Sequence, residues 1–277
     1  MNLDLDNRQR AMLAEMGVRV WWPKTPPPVQ QDATPVQVPA APVHSAPVSV
    51  VARVAEPGAP LGERPAGIAS MGWEALQTAV SGCQACPLSR TRTHTVFGVG
   101  PATDGAPPQV DWLIVGEAPG ENEDLAGEPF VGQAGKLLDN MLKAVGLSRH
   151  AANGLQGAYI ANVLKCRPPG NRNPAPEEVA QCLPYLERQV ALLQPKIILA
   201  AGRFAVQALL QDSVPDVATT PLGKLRGQVH QYRGVPVVVT YHPAYLLRAL
   251  PEKAKAWADL CLALDVLHKA GANPSAG

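Results

Sequence analysis

The chain has 277 residues, with 24 Lys and Arg against 23 Asp and Glu, for a formal net charge of +1. That balance excludes both a polybasic nucleic-acid coat protein and an acidic solvating protein, since either would show a large excess of one sign. At 46% hydrophobic the chain can fill one good core, which bounds it to one domain or two small ones.

At the start of the chain Met12, Leu13, Met16, Val20 and the pair Trp21–Trp22 make a short apolar, helix-like stretch. Residues 1–22 read either as a segment that folds back on the main domain or as a docking peptide for a partner protein, because tryptophans are strong interface anchors. Residues 23–69 follow as a linker. Between Pro23 and Pro65 lie 11 of the 29 prolines, among Ala, Val, Gln and Ser with no helical or strand period. Proline cannot donate to a ladder and restricts the residue before it, so this stretch is expected to be an extended, disordered tether. The folded domain is expected over residues 70–270, with a disordered tail at 271–277.

Within that domain, residues 111–116 are an apolar run ending in Gly116, the pattern of a buried strand. Gln133 to Val145 carries Leu137, Leu138, Met141, Leu142 and Val145 at helical spacing, with Gly146 as its stop. Residues 158–164 are a second strand, and Pro176 to Leu193 a helix with proline at its tolerated first position. Residues 196–202 are a third strand, leading straight into a helix from Arg203 to Leu210. Residues 235–241 are a fourth strand, which a short run at 229–233 could join as a hairpin. The last helix, Glu252 to His268, places Trp257, Leu260, Cys261, Leu264 and Leu267 on one apolar stripe. Continuous apolar strands alternating with amphipathic helices define an α/β fold, a mostly parallel sheet covered on both faces. The chemistry of such sheets lies beyond the carboxyl ends of the strands. That rule singles out the loops after Gly116, Leu164, Gly202 and Tyr241.

No apolar core of a secretory signal opens the chain, and nowhere do 18 uncharged apolar residues run together, so a cytoplasmic protein is expected. Five cysteines at uneven spacing do not make a disulfide framework. Cys83 and Cys86 form one CxxC followed by Pro87, and Cys166 and Cys182 form a wider pair. Four thiolates of this kind could take zinc or a [4Fe–4S] cluster. Cys261 falls on the last helix's apolar stripe and reads as packing.

The loop after the first strand, Gly116-Glu117-Ala118-Pro119-Gly120, sets two glycines round one carboxylate, which lets backbone N–H groups approach a ligand. Glu121, Glu123, Asp124 and Glu128 follow and read mainly as a solvated acidic face. Phe130, one of three Phe, lies on a loop as a core plug or a stacking platform. Asn162 interrupts an apolar strand; a buried amide must be satisfied, so it braces the backbone or reads a carbonyl and an imide N–H of a ligand. His242 ends the fourth strand, either as a satisfied imidazole or as a donor to a developing anion.

Taken together, six stretches resemble the family 4 uracil-DNA glycosylases, the iron–sulfur branch of that superfamily. They are Cys83-x2-Cys86-Pro-Leu, residues 92–100, Gly-Glu-Ala-Pro-Gly at 116–120, residues 127–138, residues 161–174 and Tyr-His-Pro-Ala-Tyr-Leu-Leu-Arg at 241–248. The resemblance spans about residues 71–268 and leaves residues 1–70 uncovered. It implies a three-layer α/β/α fold with a central four-stranded parallel sheet. It also implies a [4Fe–4S] cluster on Cys83, Cys86, Cys166 and Cys182, bracing the pocket without doing chemistry. The implied reaction is hydrolysis of the N-glycosidic bond of deoxyuridine in DNA, giving free uracil and an abasic site, with no lyase step.

The resemblance then assigns roles. Phe130 would stack on the flipped base, and Asn162 would read the O4/N3 edge that distinguishes uracil from cytosine. Backbone amides of the loop through Gly116 and Ala118, with His242, would stabilise charge on the departing uracil. Glu123 would crowd C5 and exclude thymine's methyl, and Glu117 would orient or activate water. Family 1 relatives carry an Asp where this chain has Ala118, so the water base does not follow by analogy. DNA contacts are expected from Lys165, Arg167 and Arg172, from Lys224, Arg226 and Arg233, and from Arg248. Leu246 and Leu247 are candidates for a wedge or for the buried face of a short helix. A monomer is expected.

Two other readings compete with this one. A sister branch forms a covalent bond through a His in an inserted loop, but residues 166–182 contain no His. A non-catalytic iron–sulfur DNA-binding module would be expected to lack Asn162, His242 or Phe130, and all three are present.

Overall fold

The computed structural model describes residues 62–151, 154 and 156–271. The docking peptide expected at 1–22, the linker as far as residue 61 and the tail from 272 lie outside the described residues. Residues 62–69, expected to belong to the linker, instead join the fold. Gly62 N–H donates to the Gln84 carbonyl, Arg64 to the Ala180 carbonyl, and Ile68 is buried.

Six strands form one sheet: β1 Trp112–Gly116, β2 Leu147–Ser148, β3 Gln156–Asn162, β4 Ile197–Ala201, β5 Val229–Tyr232 and β6 Val235–Thr240, in the order β2-β3-β1-β4-β6-β5. The four strands expected from apolar runs are the inner parallel set, β3-β1-β4-β6. Two short edge strands raise the expected four to six. The hairpin strand β5 pairs antiparallel with β6, whereas β2 is two residues long, too short to leave a pattern in sequence.

Alternate side chains on each strand point to opposite faces, and this divides the core in two. Leu113, Val115, Ala161, Ile198, Ala200, Val237 and Val239 pack on one face, against Leu186, Val190 and Leu193 of one helix and Ala205, Val206 and Leu209 of another. Trp112, Ile114, Ile160, Ile197, Leu199 and Val238 pack on the other, against Leu138, Leu142, Leu260 and Ala263. The helices, in chain order, are α1 Trp73–Ser81, α2 Glu121–Ala126, α3 Gln133–Ala144, α4 Pro176–Leu193, α5 Arg203–Leu210, α6 Leu222–Leu225, α7 Pro243–Leu246 and α8 Lys253–Gly271. Thus α4 and α5 cover one face and α3 and α8 the other, a three-layer α/β/α arrangement.

Three elements depart from the sequence expectation. Helix α1 was not anticipated; it is short, and it buries Leu76 and Val80, four residues apart. The acidic stretch after Gly120 is not a loop but α2, with Glu121, Glu123 and Asp124 in its first turn, where the helix dipole favours negative charge. Nor is that stretch simply a solvated face, because Asp124 is buried and accepts hydrogen bonds from the Thr93 and His94 backbone N–H groups. On α8, Leu260 is buried, yet Trp257 is 48% exposed and so does not join the core stripe expected for it. Among the described residues no helix is long and apolar enough to cross a membrane.

Candidate active site and cysteine cavity

The carboxyl ends of β1, β3 and β6 open into a cleft of about 500 Å³. Its lining includes Glu117, Ala118, Glu123, Phe130, Asn162, Arg172, His242 and Arg248, brought from five separate stretches of chain. Parallel register sets Gly116 directly beside Asn162. A side chain at Gly116 would collide with Asn162 Oδ1 and put a Cβ 2.6 Å from Phe130 Cζ, so only glycine lets the amide and the ring converge. Asn162 is 2% exposed, and its Oδ1 is buried with no hydrogen-bond partner among the described residues. An unsatisfied buried acceptor costs about 1–3 kcal/mol. Such a group calls for a ligand that supplies the missing donor.

His242 lies between β6 and α7 and caps that helix: its Nδ1 accepts from the Ala244 backbone N–H at 3.2 Å. An Nδ1 that accepts leaves the ring proton on Nε2. Burial pulls the imidazole down to about 4, opposed by the Glu123 carboxylate and reinforced by Arg248, so the ring is neutral at physiological pH. The Phe130 and His242 rings lie nearly parallel, 27° apart with centroids at 5.4 Å. Phe130 is 6% exposed in the core and also lines the cleft. Its φ of 55° is a left-handed conformation that costs a non-glycine residue about 1–3 kcal/mol.

Glu117 follows Gly116 on the cleft wall, and its carbonyl is held by the Leu164 backbone N–H. Burial pushes its carboxyl up to about 7, which poises it between acid and base at neutral pH. Glu123 has a different environment. One carboxylate oxygen accepts from Gly120 N–H and the other from Val131 and Gly132 N–H, at 3.0–3.1 Å. It ties the 116–120 loop to the Phe130 loop, a bracing role that sequence reasoning missed.

Several residues expected to touch DNA are differently employed. Lys165 is 1% exposed; its Nζ donates to the Asn162 carbonyl at 2.8 Å and to Gln189 Oε1 at 2.6 Å, so it cannot reach a phosphate. Leu246 is fully buried, whereas Leu247 is 42% exposed, which removes the first from the wedge and leaves the second. Arg226 pairs with Asp259 in a nearly buried bridge and lies over the Tyr241 ring. Arg233 pairs with Glu187, and Arg167 with Asn171 and, at 3.7 Å, Glu121. Arg172 and Arg248 do reach the cleft, Arg172 through a bidentate pair with Glu178 that fixes its fork. Glu178 lies only six residues from Arg172, but the acids that pair with Arg226, Arg233 and Arg167 are distant in sequence, so local charge counting could not find them.

Behind β3 the four cysteines come together. Cys83, Cys86, Cys166 and Cys182 line a second, much smaller cavity with Arg92 and Lys165. Among the described residues no group of three or more His, Cys, Asp or Glu converges as a site for a single metal ion. The thiols stand around a shared space instead. Arg92 donates to Cys166 Sγ and the Lys165 backbone N–H to Cys182 Sγ, each at 3.2 Å. The Lys165 ammonium donates to neutral acceptors, the Asn162 carbonyl and Gln189 Oε1, and pairs with no carboxylate among the described residues. Four sulfur donors, N–H groups aimed at sulfur and an uncompensated buried cation fit a negatively charged thiolate-held group. Cys261 stands apart on α8 and is half-buried.

The fold and the cleft define a class: an α/β/α protein with a ligand site at its strand ends and a cysteine-lined cavity behind it. Residues 103–261 match the family model of the Uracil DNA glycosylase superfamily. A Type-4 uracil-DNA glycosylase of Archaeoglobus fulgidus is 43% identical over 172 residues, covering 61% of this chain and 79% of the relative. One from Pyrobaculum aerophilum is 39% identical, covering 69% of this chain and 93% of the relative. A Type-5 uracil-DNA glycosylase of Thermus thermophilus is 31% identical over 50% of this chain and 71% of its own length. The chain belongs to the uracil-DNA glycosylase superfamily, and within it to the type-4 branch.

Proposed function

We propose that the protein is a uracil-DNA glycosylase, a hydrolase that removes uracil from DNA as the first step of base excision repair. The observation that carries this reading is the buried, unpartnered Oδ1 of Asn162, a residue that lines the cleft of a type-4 family member. Uracil offers N3–H to that oxygen and O4 to the amide nitrogen, whereas cytosine reverses both groups and leaves the amide unpaired. Reaching the base requires flipping it from the stack, which costs a few kcal/mol, least at mismatches or in single strands.

In the cleft, Phe130 stacks on the base and Nε2–H of the neutral His242 donates to uracil O2. As the C1′–N1 bond breaks, its electron pair leaves with uracil and develops on that oxygen, where a preformed donor is most effective. Backbone N–H groups of the 116–120 loop add to this. Glu117 as carboxylate takes a proton from water, the water oxygen bonds to C1′, and the products are free uracil and an abasic site. Glu123, held by three backbone N–H groups, forms a fixed wall that would crowd a C5 methyl and so exclude thymine. Arg172, Arg248 and the exposed Leu247 rim the path for DNA, with Arg167 at its edge.

The type-4 branch is an iron–sulfur branch, and Cys83, Cys86, Cys166 and Cys182 are the residues that would hold a [4Fe–4S] cluster in the second cavity. Such a group supplies rigidity: Lys165 lies between that cavity and the Asn162 carbonyl, so bracing the cysteines braces the base-reading strand end. Absorbance near ~400 nm and bound iron would support the cluster, and bound zinc would replace it. A reducing, cytoplasmic location, a monomeric state and a protein partner for residues 1–22 complete the reading. A pull-down with residues 1–22 alone tests the last.

The decisive assay incubates the full chain with uracil-containing DNA, as G·U, A·U and single-stranded substrates with inosine in parallel, and then applies alkali. Strand cleavage at uracil alone is expected. Absence of cleavage on every uracil substrate would return the chain to a non-catalytic DNA-binding role.

A further inference from the structure

Arg149 directly follows the edge strand β2 and is 6% exposed, an unusual place for a guanidinium. Asp139 of α3 receives its Nε at 2.8 Å and pairs with Nη2 at 2.7 Å. The other side of the fork leads to the active-site loop, where Nη1 donates to the Pro129 carbonyl at 2.8 Å and Nη2 to the Phe130 carbonyl at 3.0 Å. These are the carbonyls on either side of the strained Phe130 φ. The loop turns there so tightly that a Cβ at Gly135 would overlap the Phe130 carbonyl. Glu123 holds the next two N–H groups of the same loop. Phe130 is therefore fixed from both sides, by a cation on its carbonyls and an anion on the amides that follow.

We propose that Arg149 is a positioning residue for catalysis: by clamping the Pro129 and Phe130 carbonyls it holds the Phe130 ring in the stacking attitude beside His242. The proposal rests on the reading of Phe130 as the ring that stacks on the base. A planar fork that donates to two successive carbonyls and a carboxylate at once is geometry that lysine does not reproduce. Arg149 does not itself line the cleft, so it acts through the loop that carries Phe130.

The test is a double-mutant cycle on the full chain, read as the single-turnover rate of uracil release from single-stranded DNA. Arg149→Lys is expected to slow release about tenfold, as a ring displaced from its working geometry should. In the Phe130→Ala background the same substitution should change the rate less than twofold, and affinity for uracil-free DNA of equal length should not move. Equal losses in both backgrounds, or an unchanged rate in Arg149→Lys, would overturn the proposal. If circular dichroism shows Arg149→Lys unfolded, Asp139→Asn replaces it in the cycle, because Asp139 is half-exposed and its loss only loosens the fork. Should Phe130→Ala itself keep the full rate, the stacking reading fails and the clamp with it. A slow Phe130→Ala with an additive cycle would remove the Arg149 proposal alone.

Discussion

Two cavities flank the exit of β3, and they are built on opposite principles. The larger one, beyond the strand ends, keeps a buried acceptor unsatisfied at Asn162, a carboxyl poised near neutrality at Glu117 and a ring in a strained backbone at Phe130. The smaller one, behind the strand, is lined by thiols with Arg92 and Lys165 donating toward it, and among the described residues no carboxylate accepts from those two side chains. A site that must bind and release a ligand tolerates incomplete groups, because the ligand completes them. A site that holds the fold together has its donors already committed. Lys165 belongs to the second and supports the first, with its backbone N–H on Cys182 and its Nζ on the Asn162 carbonyl.

This contrast implies that changes in the cleft reduce rate and spare stability, while changes round the cysteines do the reverse. The largest effect is expected from Asn162→Ala, a fall of about 10³ in single-turnover rate, with little change in melting temperature. A loss of stability equal to the loss of rate would erase the distinction. His242→Ala should cost about 10² in rate, because on the proposed mechanism it removes one donor to the departing base. Glu117→Gln should cost about 10² as well and should also change the pH profile. A base with its pKa near 7 is carboxylate above that pH and protonated below, so the native rate should fall about tenfold per unit beneath pH 7 and level off above it. Glu117→Gln should flatten that slope; a variant that keeps both slope and rate would take Glu117 out of the mechanism.

For the second cavity, Cys166→Ser should abolish absorbance near ~400 nm and lower the melting temperature by several degrees, at roughly 2–4 °C per kcal/mol for a domain of this size. Its residual folded fraction should turn over at close to the native rate. A folded, iron-loaded Cys166→Ser protein would break the contrast from this side. The smallest effect is expected from Leu247→Ala, a few-fold loss on duplex substrate and none on single strands, where no partner strand needs to be displaced. Leu246→Ala, by contrast, should act on stability, since that side chain is fully buried.

The strands, the longer helices and the strand-end loops were legible in the chain because they depend on near neighbours. Apolar runs of five to seven residues make buried strands, and Pro176 opens α4 where its missing N–H costs nothing. The residues that line the cleft were legible too, Asn162 as a polar break in an apolar strand and His242 at a strand end. The four cysteines were legible as a set, although spacing alone left zinc and a cluster both open. What the tertiary structure decided is which of several chemically similar residues meets solvent. Lys165 stands two residues before Arg167 and Leu246 directly before Leu247, yet Lys165 and Leu246 are buried while Arg167 and Leu247 reach solvent, because burial follows from packing against α4 and α3 rather than from residue type. The partners of Arg172, Arg226 and Arg233 come from other elements, so the positive patches apparent along the chain are largely neutralised in space. The Arg149 clamp left no motif at all, since its four acceptor contacts are assembled only when β2, α3 and the Phe130 loop meet. The near-zero net charge with which the chain began is therefore an average over pairs that only the fold could form.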